Sequence, residues 1–321
     1  MKSARTGLHW ASMGESTFVL GIWFLYGVHR ILGHWPFRLC LYPVVLTQWA
    51  LRPALRRASL QYLQRLEQAT GALGRAPSWR DTLRHMRLFA ETLLDKLLAV
   101  AGRYPLQRVQ TQGREPLYRA SHSGQGGLIV VAHMGCLELC RAMAEQGKTL
   151  RLHVLVHTRH ATEFNRILKR LNPSNEVHLL EVTEISPATA LLLSEKVGQG
   201  EYVVIAGDRV PVLASQTVSI DFLGHPAPLP VGPYVLASLL KCPLYFLGCI
   251  HQGAGYAVQF ELLAQQVLLP RATRQQAMAH YASLYVQAVT AQLVRSPYDW
   301  FNFFPFWEQT HDTPPSRARD L

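Results

Sequence analysis

Residues Leu128 to Glu138 read Leu-Ile-Val-Val-Ala-His-Met-Gly-Cys-Leu-Glu, which sets an imidazole at His133 and a carboxylate at Glu138 five positions apart. A carboxylate bonded to one ring nitrogen of a histidine fixes its tautomer. The other nitrogen is then free to take a proton from a hydroxyl as a general base. On one continuous helix, an offset of five would turn the two side chains roughly 140° apart, too far to meet. The preceding run, Leu128 to Ala132, is apolar, rich in β-branched residues and bounded by glycines upstream. It predicts a parallel-sheet strand with His133 at its carboxyl end, where open α/β sheets place their ligands. With His133 on the turn at Gly135 and Glu138 in the first turn of a following helix, the pair meets. The bare pattern arises by chance about once in a chain of this composition. Its weight comes from the strand before it and the glycine after it.

A second apolar run ends in the same way: Val203 to Ala206, then Gly207, Asp208 and Arg209, with a proline-rich segment from Phe222 to Pro233 beyond. Strand-length apolar runs at Leu128 to Ala132, Leu152 to Val156, Val177 to Leu180, Tyr202 to Ala206 and Leu244 to Ile250 alternate with helical stretches at Leu137 to Gln146, Glu163 to Leu171, Pro187 to Val197 and Gly232 to Leu240. A late strand at Tyr256 to Leu262 and a closing helix at Thr273 to Val294 follow. Such alternation predicts an α/β fold with a mostly parallel central sheet flanked by helices.

The 32 Lys and Arg against 21 Asp and Glu give a net charge of +11, which suits an anionic partner: a membrane surface, an acidic carrier protein or nucleic acid. Five cysteines, with no Cys-x-x-Cys pair, suit a reducing compartment. Cys136, beside His133, has a nucleophile reading and a core-packing reading; ordinary burial favours the second. Other chemistries lack their pattern. No Gly-x-Ser-x-Gly elbow occurs, and Gly124-Gln125-Gly126-Gly127 precedes a strand where a dinucleotide fingerprint would follow one. His153, His157 and His160 have zinc-like spacing, but a strand would hold His153 and His157 roughly 13 Å apart. No metal and no cofactor are expected.

Upstream, Ser16 to Val28 and Leu39 to Leu51 are uncharged runs of thirteen residues each. As a helix, either covers roughly 20 Å, short of the ~30 Å hydrocarbon core, and Pro36 and Pro43 are expected to interrupt them. The expectation is a helical hairpin or interfacial helix. Trp10, Trp23, Trp35 and Trp49 would sit at headgroup depth, and Arg52, Arg56 and Arg57 on anionic lipid. Amphipathic helices follow at Ala54 to Ala69 and Trp79 to Ala101, with a loop at Gly71 to Pro77. The division is residues 1–70 as a hydrophobic and basic helical membrane-associating segment, and 71–321 as the α/β acyl-transfer domain implied below.

Taken in order, these blocks resemble the lysophospholipid acyltransferase superfamily, and within it the bacterial lipid A late (lauroyl/myristoyl) acyltransferases. Trp10 and Glu15 precede the first apolar run as in that family. His133 and Glu138 match its catalytic pair, and Arg159 and Asn165 its arginine block. Asp208 matches its acidic block, and Phe222 to Gly232 a segment that lines the site. The resemblance implies transfer of a fatty acyl chain from an acyl thioester, on acyl carrier protein, to a hydroxyl of a membrane lipid or glycolipid such as a lipid A precursor. It places the enzyme on the cytoplasmic face of the bacterial inner membrane, with no nucleic-acid partner. Glu138 would orient His133. Arg159 and backbone amides at the Gly135 turn would stabilise the oxyanion, and Asp208 and Arg209 would organise the acceptor pocket or hold Arg159. Two departures bear on the acceptor: Arg209 follows the aspartate, and the chain carries Trp300 to Trp307 where the family ends in a Trp-x-His-Arg-Arg type segment. Alternatives are the same chemistry on an amino-acid lipid, polyene lipid or mannolipid, a non-catalytic basic membrane-bound protein, or a hydrolase.

Overall fold

Strand β2 (Gly127–Val131) is buried along its whole length, as a run with no polar side chain demands. Its partners on either side are β5 (Tyr202–Ala206) and β8 (Leu244–Gln252), both parallel to it. A computed structural model describes residues 16–147, 150–156, 178–181, 187–210 and 216–308. Beyond β5 lie β3 (Leu152–Val156) and β4 (His178–Glu181); beyond β8 lie β9 (Gly255–Ala264) and β1 (Val109–Gln112). The order β1-β9-β8-β2-β5-β3-β4 is parallel at every step except the β8/β9 hairpin.

Alternate residues of these strands feed two cores. Leu128, Val130, Val203 and Phe246 pack with Tyr234 of a helix at Gly232–Leu240, with Tyr285 and Val289 of one at Arg274–Arg295, and with Tyr62, Leu63 and Leu66 of one at Pro53–Thr70. On the opposite face, Ile129, Val131, Val204 and Leu247 pack with Leu117 from Glu115–His122 and with Leu139 and Cys140 from Leu137–Gly147. In chain order the helices are α1 (Ser16–Leu32), α2 (His34–Leu51), α3 (Pro53–Thr70), α4 (Trp79–Val100), α5 (Glu115–His122), α6 (Leu137–Gly147), α7 (Pro187–Gly198), α8 (Gly232–Leu240) and α9 (Arg274–Arg295).

Local chemistry sets the ends of these helices. Gly71 closes α3 in the left-handed conformation. Ser78 and Asp81 form a reciprocal capping box at the start of α4. Arg75 clamps the Asp81 carboxylate at 2.7 and 2.9 Å, the Tyr298 hydroxyl donates to it at 2.8 Å, and its pKa is held well below the carboxylate range.

Four elements lie outside the expectation. β1 and α5 fill residues 109–122, for which no element was expected. The segment from Thr217 folds as a two-stranded ribbon, β6 (Thr217–Phe222) and β7 (His225–Pro230). Pro226, Pro228 and Pro230 alternate along β7, so every missing N–H falls on the same side of the ribbon. Leu223 and Gly224, at φ 56° and 76°, make the two-residue turn between the strands.

The N-terminal run folds as two helices joined at Gly33. Pro36 and Pro43 do not break α2: the first lies in its opening turn, where an N–H has no helical acceptor, and the second is carried inside it. Tyr26 of α1 and Phe37, Leu41 and Val45 of α2 bury against Leu94 and Leu97 of α4 and against Phe301 and Phe303. Among the described residues, no helix is long and apolar enough to cross a membrane.

Candidate active site

Because β2 and β5 are adjacent and parallel, their carboxyl ends open on the same edge of the sheet, and there His133 meets Asp208. Asp208 Oδ1 lies 2.7 Å from His133 Nδ1, and Oδ2 accepts the His133 backbone N–H at 2.9 Å. The carboxylate is 3% exposed and the imidazole 48% exposed, so the carboxylate is sealed while the imidazole stands open. Burial by itself would raise the Asp208 pKa. The His133 ring beside it, Arg209 and a hydrogen bond from Trp300 outweigh that and hold it well below the carboxylate range. A carboxylate bonded at Nδ1 leaves Nε2 as the proton acceptor, with two bonds fixing the ring and backbone together.

Residues Asp299 to Asn302 cross the same edge as a strap. The Asp299 carbonyl accepts from Gly135 N–H at 3.1 Å, Trp300 pairs with Met134, and Phe301 N–H donates to the His133 carbonyl at 3.0 Å. Trp300 Nε1 donates to Asp208 Oδ2 at 2.9 Å. Gly135 is required here: its φ is 51°, and a Cβ would fall 2.1 Å from the Cys249 carbonyl oxygen. From below, fully buried His85 joins α3 to the strap, with Nδ1 2.8 Å from the Ser59 hydroxyl and Nε2 2.9 Å from the Trp300 carbonyl.

Glu138 occupies the first turn of α6, as expected, but its carboxylate lies 3.3 Å from Lys96 Nζ on α4. The partner expected for it, His133, is taken by Asp208, because β5 delivers its carboxylate directly beside β2 while α6 turns Glu138 toward α4. Asp208 thus holds the His133 ring, where an acceptor-pocket role was expected. The Gly135 amide is engaged by the strap, so it is not an oxyanion donor; α6 starts four residues after His133, and its amino-terminal N–H groups are the alternative there. Arg209 turns inward, with Nη2 3.2 Å from the Phe301 carbonyl and the guanidinium 4.4 Å from the Phe304 ring. Cys136 is fully buried and its thiol pKa is pushed well above the ordinary value by burial and by Glu138, the environment of a packing residue.

His153 is bonded to Glu201 at the amino ends of the neighbouring strands β3 and β5. Trp10, Glu15, His157, His160, Arg159 and Asn165 lie outside the described residues, as does the Trp23 side chain. Trp35, Arg52 and Arg57 are exposed. Trp49 donates to Thr82 at 2.9 Å, and Arg56 caps the end of α2 through the Trp49 and Ala50 carbonyls while covering the Trp49 ring at 4.7 Å. Among the described residues, no cluster of three or more His, Cys, Asp or Glu is placed to hold a metal ion.

The family described as bacterial lipid A biosynthesis acyltransferase matches residues 98–309. The chain belongs to that family. No curated relative matches it. The match takes in every described strand of the acyltransferase, the His133–Asp208 pair and the strap. Residue types and spacing singled out His133 and Asp208 separately but not their pairing, and they missed Trp300, His85 and Lys96. A fully apolar strand ending in Gly-Asp-Arg was the available signal for the pairing, since a second carboxyl end beside the first brings its acid to the same edge.

Proposed function

We propose that this acyltransferase moves a fatty acyl chain from an acyl thioester on acyl carrier protein to a hydroxyl of a lipid A precursor, at the cytoplasmic face of the bacterial inner membrane. The observation that carries the reading is the open imidazole of His133 clamped at two points by a buried carboxylate. His133 Nε2 takes the acceptor proton as the oxygen attacks the thioester carbonyl. The C–S bond then breaks, and the departing thiolate takes that proton back from His133. The oxyanion is met by the amino-terminal N–H groups of α6 and by Arg159.

Of residues 1–70, expected as the membrane-associating part, α1 and α2 serve that role, while α3 is packed into the catalytic domain through Tyr62, Leu63 and Leu66. Support comes from the outer face of α1 and α2, where Ile31, Trp35 and Leu39 are more than 70% exposed, with Arg52 and Arg57 near its end. The net charge of +11 suits both anionic lipid and an acidic carrier protein. The test is transfer from acyl-loaded carrier protein to a lipid A precursor in micelles. His133→Ala is expected to lower the rate by about a hundredfold or more, with circular dichroism unchanged. A folded, fully active variant would overturn the reading, and fatty acid released equally with and without acceptor would make the protein a hydrolase.

A further inference from the structure

The strap carries a second carboxylate that the reaction above does not use. Asp299 is fully buried, and it holds His251 as Asp208 holds His133: Oδ2 accepts the His251 backbone N–H at 2.6 Å, and Oδ1 lies 2.5 Å from Nδ1. His251 is near the carboxyl end of β8, the strand next to β2. Gly135, two residues after His133, lies against the Cys249 backbone of β8, and Asp299 accepts both the Gly135 N–H and the His251 N–H, so the two histidines stand at the same end of neighbouring strands. Both rings are reachable from solvent there, at 48% and 23% exposure, as one polyhydroxylated headgroup bound across that end would require.

The arrangement exceeds what tethering the strap requires. The Asp299 carbonyl already bonds the Gly135 turn, and sealing a carboxylate from water is unfavourable unless its partners compensate. What it secures is one orientation of a ring that is still 23% exposed. Tyr256 packs on that ring with centroids 4.2 Å apart and donates its hydroxyl to Asp95 of α4 at 2.8 Å. Among the described residues, His251 Nε2 has no hydrogen-bond partner. With Nδ1–H given to the carboxylate, Nε2 presents a lone pair, which selects a hydroxyl donor over a phosphate.

We infer that His251, held by Asp299, is a specificity residue whose Nε2 accepts a hydrogen bond from an acceptor hydroxyl neighbouring the one that His133 deprotonates. This rests on the acyl-transfer reading. It is tested with the full chain, using acyl-loaded carrier protein and two acceptors, a lipid A precursor and a long-chain alcohol with one hydroxyl. His251→Phe is expected to raise KM for the glycolipid about tenfold, the loss of one hydrogen bond, with kcat within about twofold and the alcohol KM unchanged. In the wild-type protein, modification by diethyl pyrocarbonate, mapped by peptide mass, should be blocked at both histidines by the glycolipid and at His133 alone by the alcohol. An unchanged glycolipid KM, an equal loss of kcat with both acceptors, or a His251 modification rate that the glycolipid does not alter would overturn the inference. Should His251→Phe fail to fold, His251→Gln and the wild-type footprint decide. A dead His133→Ala beside a silent His251 removes this inference alone, whereas a fully active His133→Ala removes the reading beneath it.

Discussion

Asp208 and Glu138 are both carboxylates one step from the catalytic turn, and their partners predict opposite effects of neutralising them. Asparagine at 208 has a single acceptor oxygen for the two donors of His133, and its amide can present N–H to the ring and trap the wrong tautomer. Asp208→Asn should therefore cut kcat by about a hundredfold or more, comparable to losing the base itself, with the fold retained. Glu138→Gln should leave kcat within about tenfold but lower the thermal midpoint, since Lys96 loses its partner in a partly buried position at a cost of roughly 1–3 kcal/mol. Steady-state kinetics and thermal denaturation on the two variants separate these roles. The reverse order would give Glu138 the orienting role that its spacing from His133 suggested.

At the scale of elements, the turn after β2 and the turn between β6 and β7 both use a left-handed glycine, for different reasons. A Cβ at Gly135 would collide with the Cys249 backbone, whereas one at Gly224 meets nothing within 4 Å. Gly224→Ala should thus cost only the conformational penalty, about 1 kcal/mol, and keep full activity. Gly135→Ala must displace the turn from β8 and loosen the bond to Asp299, so transfer should fall more than about tenfold, a barrier change of at least ~1.4 kcal/mol. Calorimetry and transfer assays on the pair check both halves of this. A Gly135→Ala enzyme with unchanged kcat would show that the strap does not set the geometry of His133.

For the whole molecule, α1 and α2 have two faces with different tasks. The inner face covers Leu94, Leu97 and Phe301, so deleting the first 51 residues would uncover core as well as remove the proposed membrane-facing surface. Point changes separate the two. Replacing Ile31, Trp35 and Leu39 together by Ser should weaken sedimentation with anionic vesicles by more than about tenfold while leaving the thermal midpoint in place. Binding that survives these changes at high salt would locate the anchor elsewhere. Acid stability reports on the contact between α3, α4 and the strap. Burial lowers the His85 pKa from 6.5 to about 4, opposed by its bond to the Trp300 carbonyl. Between those two values the unfolded chain binds the proton and the folded protein does not, so this group's effect is that stability falls as pH falls through that window. Denaturant titrations should show the stability difference between wild type and His85→Gln shrinking from pH 7 to about 4, a trend in the opposite sense being the result that removes His85 from this role.

The strands at Leu152–Val156 and Tyr202–Ala206 and the helix at Gly232–Leu240 were legible to the residue, because an apolar run of five, interrupted in the first only by His153, can bury both faces only inside a sheet and a helix with a proline in its first turn announces its own start. The ribbon at Thr217 to Pro230 was not, since three prolines argue against a strand unless all face away from the partner, and that depends on register. The position of His133 at a strand end was legible for the same reason as the strand itself. Its partner was not: sequence spacing favours Glu138, five residues away, while strand order places Asp208, seventy-five residues away, within 2.7 Å. Local pattern determines which residues reach an end of the sheet. Which ends become neighbours is decided by the pairing of β2 with β5 and β8, a non-local outcome of burying both faces of the sheet at once.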